Sequence, residues 1–375
     1  MLALARSRTD GWLQTHSGGE VLLRYVISDS ANASLALRAE NATHGDLVLL
    51  NVANSEVTCA EKIFRWLAMA SLWNVELVAV IDDDTWIHTE RLLADLQPYA
   101  DEPFLFYGQF SWAQEWDERN MRHQGYANHG LGILQAADKY QRRHPVTAQA
   151  RNGPFPLANG FMMVLGLYLA HAAGHSSAAA EMSKRLRHLE ATGRRPRRVG
   201  KCDPAGDSAL GYLIAHELPR DLNVKVVDVT STARVHFWRN KATATALRSS
   251  LVLMHAAAQW VDHFQFATCN AADQHGVDRA PEFRCMPVLN HVSRCARPPH
   301  LGSSSRLCNR EESYFATTFL NWTWCEGRGT FRTLPGLQLR NKSFCSAGEA
   351  AVLQSCQAGF ERSDELWVRG SLLKA

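Results

Sequence analysis

From Val21 to about residue 245 the chain alternates short apolar runs with longer stretches of helical spacing. That alternation admits few folds. A strand that is apolar at nearly every position must be covered on both faces, and helices placed between such strands supply the cover. The pattern predicts βαβ units and a mixed, mostly parallel sheet with flanking helices. Strands are expected at Val21–Ile27, Leu47–Val52, Leu77–Ile81, Phe104–Tyr107, Phe161–Leu165 and Val224–Val229. Helices are expected at Cys59–Trp73, Ser176–Thr192 and Thr245–Phe266, and at Thr89–Leu96, capped by Thr89 and stopped by Pro98.

Beyond Phe266 the periodicity gives way to cysteine, proline and polar residues, so two regions are expected, 1–266 and a Cys-rich 267–375. A length of 375 residues fits two domains at roughly 150 residues each. Of the nine cysteines, only Cys59 and Cys202 precede this tail, and no pair has the C-x-x-C spacing of a zinc ribbon or redox motif. A cysteine-dense tail without metal spacing points to disulfides and an oxidising compartment. At least two pairs among Cys269, Cys285, Cys295, Cys308, Cys325, Cys345 and Cys356 are then expected to bring their Cα atoms within ~7 Å. Glycosylation sequons at Asn32, Asn41, Asn321 and Asn341 point the same way. The tail aromatics Trp322, Trp324, Phe331 and Phe344 are expected as core. The net charge of +3 gives no case for a nucleic-acid partner. The longest apolar run, Phe161–Ala173, falls short of the ~18–20 residues that cross a bilayer. Membrane attachment is therefore expected only through an N-terminal anchor outside this chain.

The run Leu77–Ile81 (LVAVI) leads directly into Asp82, Asp83 and Asp84. Three consecutive carboxylates at the carboxyl end of an apolar strand occupy the place where open α/β sheets bind ligands. Their mutual repulsion is relieved by a hard divalent cation that bridges carboxylate and phosphate oxygens. A haloacid-dehalogenase phosphatase would need a small residue at the fifth position of this frame, where Trp86 stands. A nucleotide-sugar glycosyltransferase of the GT-A type tolerates that bulk. The segment Gly206–Gly211 reads G-x-S-x-x-G and misses the serine-hydrolase nucleophile elbow by one residue.

The stretch Val78–Leu96, VAVIDDDTWIHTERLLADL, resembles the β-1,3-glycosyltransferase group that contains fringe and the β-1,3-galactosyltransferases (glycosyltransferase family 31). Further blocks resemble that group in order: Arg8 with Trp12, Arg24–Asp29, Glu40 with Gly45–Val48, Lys62, Pro154–Val164 (PFPLANGFMMV), Gly206–Tyr212 and Val235-His236-Phe237. The likeness covers about residues 6–245. It departs from the family at Gly206, where an acidic residue is usual, and at Asn159-Gly160, where the family has two glycines. The family's first strand, before the Arg…Trp block, has no counterpart in this sequence.

The resemblance implies a GT-A fold and an inverting transfer of a hexose, Gal or GlcNAc, from a UDP-sugar to a glycan or glycoprotein hydroxyl in the Golgi lumen, with β-1,3 linkage. It implies Asp84 and His236 as ligands to Mn²⁺, and therefore roughly 4–6 Å apart. It places Asp82 and Asp83 near the donor ribose and metal shell, and Gly160 on the donor side of the site. Asp207 is implied as the base that deprotonates the acceptor, with Asp203 as the fallback. A non-catalytic relative that binds glycans or serves a structural role is the alternative reading.

Overall fold

A computed structural model describes residues 21–28, 34–52, 58–82, 85–87, 89–117, 121–127, 153–192, 206–230, 235–237, 253–255, 283–288 and 318–327. The chain opens with β1 (Tyr25–Ser28), α1 (Ser34–His44), β2 (Leu47–Leu50), α2 (Thr58–Ala70), β3 (Leu77–Ile81), β4 (Thr85–Ile87) and α3 (Thr89–Leu96). It continues through β5 (Leu105–Asp117), β6 (Arg122–Ala127), β7 (Phe155–Gly166), α4 (Leu167–His175), α5 (Ser177–Ala191) and α6 (Gly206–Tyr212). A π-helical turn, Leu213–Glu217, prolongs α6. The strands β8 (Lys225–Asp228), β9 (Val235–Phe237), β10 (Leu253–His255), β11 (Phe283–Pro287) and β12 (Thr323–Gly327) follow.

Seven strands form one mixed sheet in the order β11-β12-β8-β5-β7-β3, with β6 paired to β5. Parallel pairing joins β12 to β8 and β8 to β5, whereas β7 runs antiparallel to both β3 and β5. The sheet is therefore mixed without being mostly parallel. Parallel neighbours need a long crossover, but β6 turns back on β5 within a few residues and β7 threads between two strands that point the other way. β11 and β12 lie beyond residue 267 and pair into this same sheet.

Side chains alternate across the sheet with the period of two that extended chain imposes. Phe106 of β5, Val226 of β8, Met163 and Leu165 of β7, Val78 of β3 and Trp324 of β12 face one core, shared with Phe64 and Leu67 of α2, Leu169 of α4, Leu186 of α5 and Leu210 of α6. Leu105, Tyr107, Met162, Val164, Val227 and Cys325 face a second core under Leu92 and Leu96 of α3. This explains why the strands read as continuous apolar runs, since both faces are dry. Full burial of each large side chain stabilises the fold by roughly 1.5–3 kcal/mol. Trp322 and Trp324 are buried, as expected, and Trp324 stacks on Trp112 with ring centroids 5.4 Å apart. Phe331 and Phe344 lie outside the described residues.

Two local expectations fail. Thr89 opens α3, but its buried hydroxyl makes no hydrogen bond and caps nothing. Leu253–His255, expected inside a long helix over Thr245–Phe266, is strand β10, because β4 and β9 pair with it on either side. The rest of that segment lies outside the described residues. Among the described residues no helix is long and apolar enough to cross a membrane.

Candidate functional site

β3, β5 and β8 point the same way, and the carboxyl ends of β3 and β8 lie level with Gly108, from which β5 runs on to Asp117. Ile81 is opposite Met162 of β7, Gly108 of β5 is opposite Met163, and Gly108 also pairs with Asp228 of β8. Asp82 therefore leaves the sheet at this end, and it is exposed. Asp83 and Asp84 lie outside the described residues, but the chain resumes at once in β4. A second, three-stranded sheet then sets β4 and β9 on the two sides of β10: Trp86 is in register with Met254, and Met254 with His236. At about 4.8 Å per strand, the backbone of His236 lies two strand spacings from the chain that follows the aspartate triplet. The expected Asp84–His236 separation itself falls outside the described residues. Thr85 and Thr89, both buried, present hydroxyls with no hydrogen-bond partner just behind the triplet.

Beside Asp82 the β5–β7 ladder breaks. Gly108 pairs with Met163, yet Phe110 pairs with Ala158, so Asn159, Gly160, Phe161 and Met162 oppose the single residue Gln109. A bulge of this kind re-aims the chain at a sheet end. Gly108 permits it, since a Cβ there would sit 3.0 Å from the Met162 carbonyl oxygen and 3.1 Å from the Ala158 Cβ. The Asn159 carboxamide is held from both sides: its Nδ2 donates to Gln109 Oε1 at 3.3 Å, and Ser111 Oγ donates to its Oδ1 at 3.4 Å. Gly160 lies in β7 within the bulge.

Asp228, opposite Gly108, was missed by sequence reasoning, which treated it only as part of a late strand. Its Oδ1 accepts the backbone N–H of Thr230 at 2.9 Å and that of Phe110 at 3.3 Å. Burial pushes its pKa up to about 6, against the pull of the Thr230 and Phe110 hydrogen bonds, and the Glu326 charge adds to the rise. A shifted carboxyl at the carboxyl ends of a sheet is a site signal. In the sequence it was one Asp closing an apolar run, indistinguishable from a turn residue.

Asp207 lies in the first turn of α6, as expected, is half-buried, and its Oδ1 accepts the Ser208 N–H at 2.6 Å. The helix packs directly on β7: a Cβ at Gly211 would fall 2.5 Å from the Pro156 carbonyl oxygen. At the other end, Gly206 abuts Ile63 and Cys59 of α2. Cys59 is disulfide-bonded. Behind α6, His216 stacks on Tyr212 with ring centroids 5.0 Å apart and meets Phe155 edge-on at 6.0 Å. Burial, with the Arg220 charge, pushes its pKa down to about 3. Asp203 lies outside the described residues.

Cys285 and Cys325 stand opposite each other on β11 and β12 and form a disulfide, with Cα atoms 3.9 Å apart. The other five tail cysteines lie outside the described residues. Among the described residues no group of three or more His, Cys, Asp or Glu side chains could hold a metal ion. No protein-family model matches the chain, and no curated protein matches it.

Proposed function

We propose that the chain is an inverting glycosyltransferase of the GT-A type, related to the fringe and β-1,3-galactosyltransferase group, that moves a hexose from a UDP-sugar to a glycan hydroxyl. The observation that carries this reading is the three-stranded sheet in which β10 ties β9, with His236, to β4, which follows Asp82-Asp83-Asp84. Two sequence features far apart in the chain are thereby drawn to one end of β3. Further support comes from the bulge that projects Asn159-Gly160 beside Asp82, and from a carboxylate, Asp207, in the first turn of a helix packed on β7.

Carboxylates and an imidazole are a donor set that suits Mn²⁺, so Asp84 and His236 would hold the ion, with Asp82 and Asp83 toward the donor ribose and metal shell. Bound there, the ion would supply Lewis-acid neutralisation of the UDP leaving group. Asp207 takes the proton of the acceptor hydroxyl as that oxygen bonds to the anomeric carbon, on the face opposite the breaking bond to UDP. The N-terminal turn of α6 favours the ionised carboxylate that this role requires. The Cys285–Cys325 disulfide and the bonded Cys59 support a luminal, oxidising setting, in keeping with the Golgi.

The test is UDP release from a panel of UDP-sugars, offered with glycan acceptors, with and without Mn²⁺. Metal-dependent release from at least one donor is expected. A chain that binds glycans and releases no UDP from any donor would overturn the enzyme reading in favour of a non-catalytic relative.

A further inference from the structure

A pair of histidines on the far flank of the first core is unrelated to this site. His171 and His175 stand one turn apart on α4, both exposed, with ring centroids 4.4 Å apart and planes tilted by 31°. Gly174 sets their position. A Cβ at residue 174 would fall 2.2 Å from the Ala68 backbone nitrogen, so the glycine lets α4 lie directly on the last turns of α2. That contact brings His175 Nε2 within 3.0 Å of the Ala68 carbonyl oxygen. A carbonyl only accepts, so Nε2 carries the proton and donates it, and the neutral ring keeps its lone pair on Nδ1. A ring N–H fixed on a backbone carbonyl while the other nitrogen stays open is the arrangement that orients histidines bound to metals.

We infer that His171 and His175 form a two-imidazole chelating site for a borderline divalent transition ion of the Cu²⁺, Ni²⁺ or Zn²⁺ class, with water completing the shell. Histidines at i and i+4 share one helix face and can grip one ion. Two ligands near 2.1 Å from a common metal need nitrogens roughly 3–3.5 Å apart, a separation compatible with rings whose centroids lie 4.4 Å apart. Imidazole donors without a carboxylate discriminate against Ca²⁺ and Mg²⁺, and the general order of affinities puts Mn²⁺ last among the transition ions. The site is thus chemically distinct from the Mn²⁺ site proposed above and does not depend on it.

The test is calorimetric titration of Ni²⁺ into the full chain, wild type against His171→Ala. His171 is exposed, so circular dichroism of the variant should match wild type. The inference expects a one-to-one component in wild type that weakens roughly tenfold or more when one of the two chelating arms is removed. A parallel Cu²⁺ titration by NMR should broaden the ring C–H signals of both histidines together at substoichiometric metal. Superimposable Ni²⁺ isotherms for wild type and His171→Ala, or broadening that spares one ring of the pair, would overturn it.

Discussion

Replacing Asp228 with asparagine should stabilise the protein strongly at neutral pH and much less in mild acid. The buried carboxyl has its pKa pushed from 3.8 to about 6. At about 1.4 kcal/mol per tenfold change in proton affinity, the native state disfavours the ionised form by about 3 kcal/mol. The direction follows from proton counting. Between about pH 4 and pH 6 the folded chain holds a proton that the unfolded chain has released, so stability falls as pH rises through that window and is level above it. Asparagine keeps an oxygen for the Phe110 and Thr230 N–H groups and buries no charge. The shift is already net of those bonds, which pull the pKa down against burial, so the gain is about 3 kcal/mol at pH 8 and about 1 kcal/mol at pH 4.5. Urea unfolding followed by tryptophan fluorescence at pH 4.5 and pH 8 reads this as a higher midpoint for the variant, by roughly 1 M at pH 8 and about a third of that at pH 4.5. His216 imposes an opposite pH trend, but it is common to both proteins and cancels. An asparagine variant that is less stable at pH 8, or that shifts equally at both pH values, would refute the reasoning.

Gly211→Ala should cost about 1–3 kcal/mol in urea unfolding, because its methyl meets backbone of Pro156 and Leu157 that cannot swing aside. His216, with its pKa lowered to about 3, stays neutral in the fold while the unfolded chain takes up a proton below about pH 6.5. Its contribution is therefore present above that pH and is lost as pH falls, and His216→Phe should flatten the decline in stability between pH 6.5 and 4.5. Asp207→Asn should lower kcat by about 10²-fold or more with donor affinity nearly unchanged, whereas Asp84→Asn should weaken Mn²⁺-dependent donor binding. Retention of most of the transfer rate in Asp207→Asn would move the search for the base to Asp203.

The elements read most closely from the sequence are those whose signal is local. Leu77–Ile81 is an unbroken apolar run stopped by Asp82, and its bounds as β3 coincide with the reading. Thr89–Leu96 ends before Gln97 and Pro98, as its stop signal says. β7 starts earlier than its apolar run indicates, because Pro156, Asn159 and Gly160 break the pattern. Pro156, Leu157 and Ala158 are strand because Trp112, Ser111 and Phe110 of β5 lie alongside, and Asn159 and Gly160 follow in the bulge. β10 departs from the expected helix for a related reason: a short apolar run fits helix or strand alike, and partners more than 15 residues away decide between them. The same holds within the candidate site. The triplet announces itself by composition, whereas the raised pKa of Asp228 exists only because the fold buries it and sets Glu326 nearby, against the pull of the Thr230 and Phe110 hydrogen bonds.

In the proposed function the carboxylates after β3 and His236 on β9 together hold a divalent cation against the UDP diphosphate. Calorimetric titration of UDP into the full chain, with and without Mn²⁺, on wild type and His236→Ala, addresses it without any need to identify the acceptor. UDP binding should require Mn²⁺ and weaken by about 10-fold or more in His236→Ala. UDP binding that is indifferent to Mn²⁺, or equally tight in wild type and His236→Ala, would contradict it.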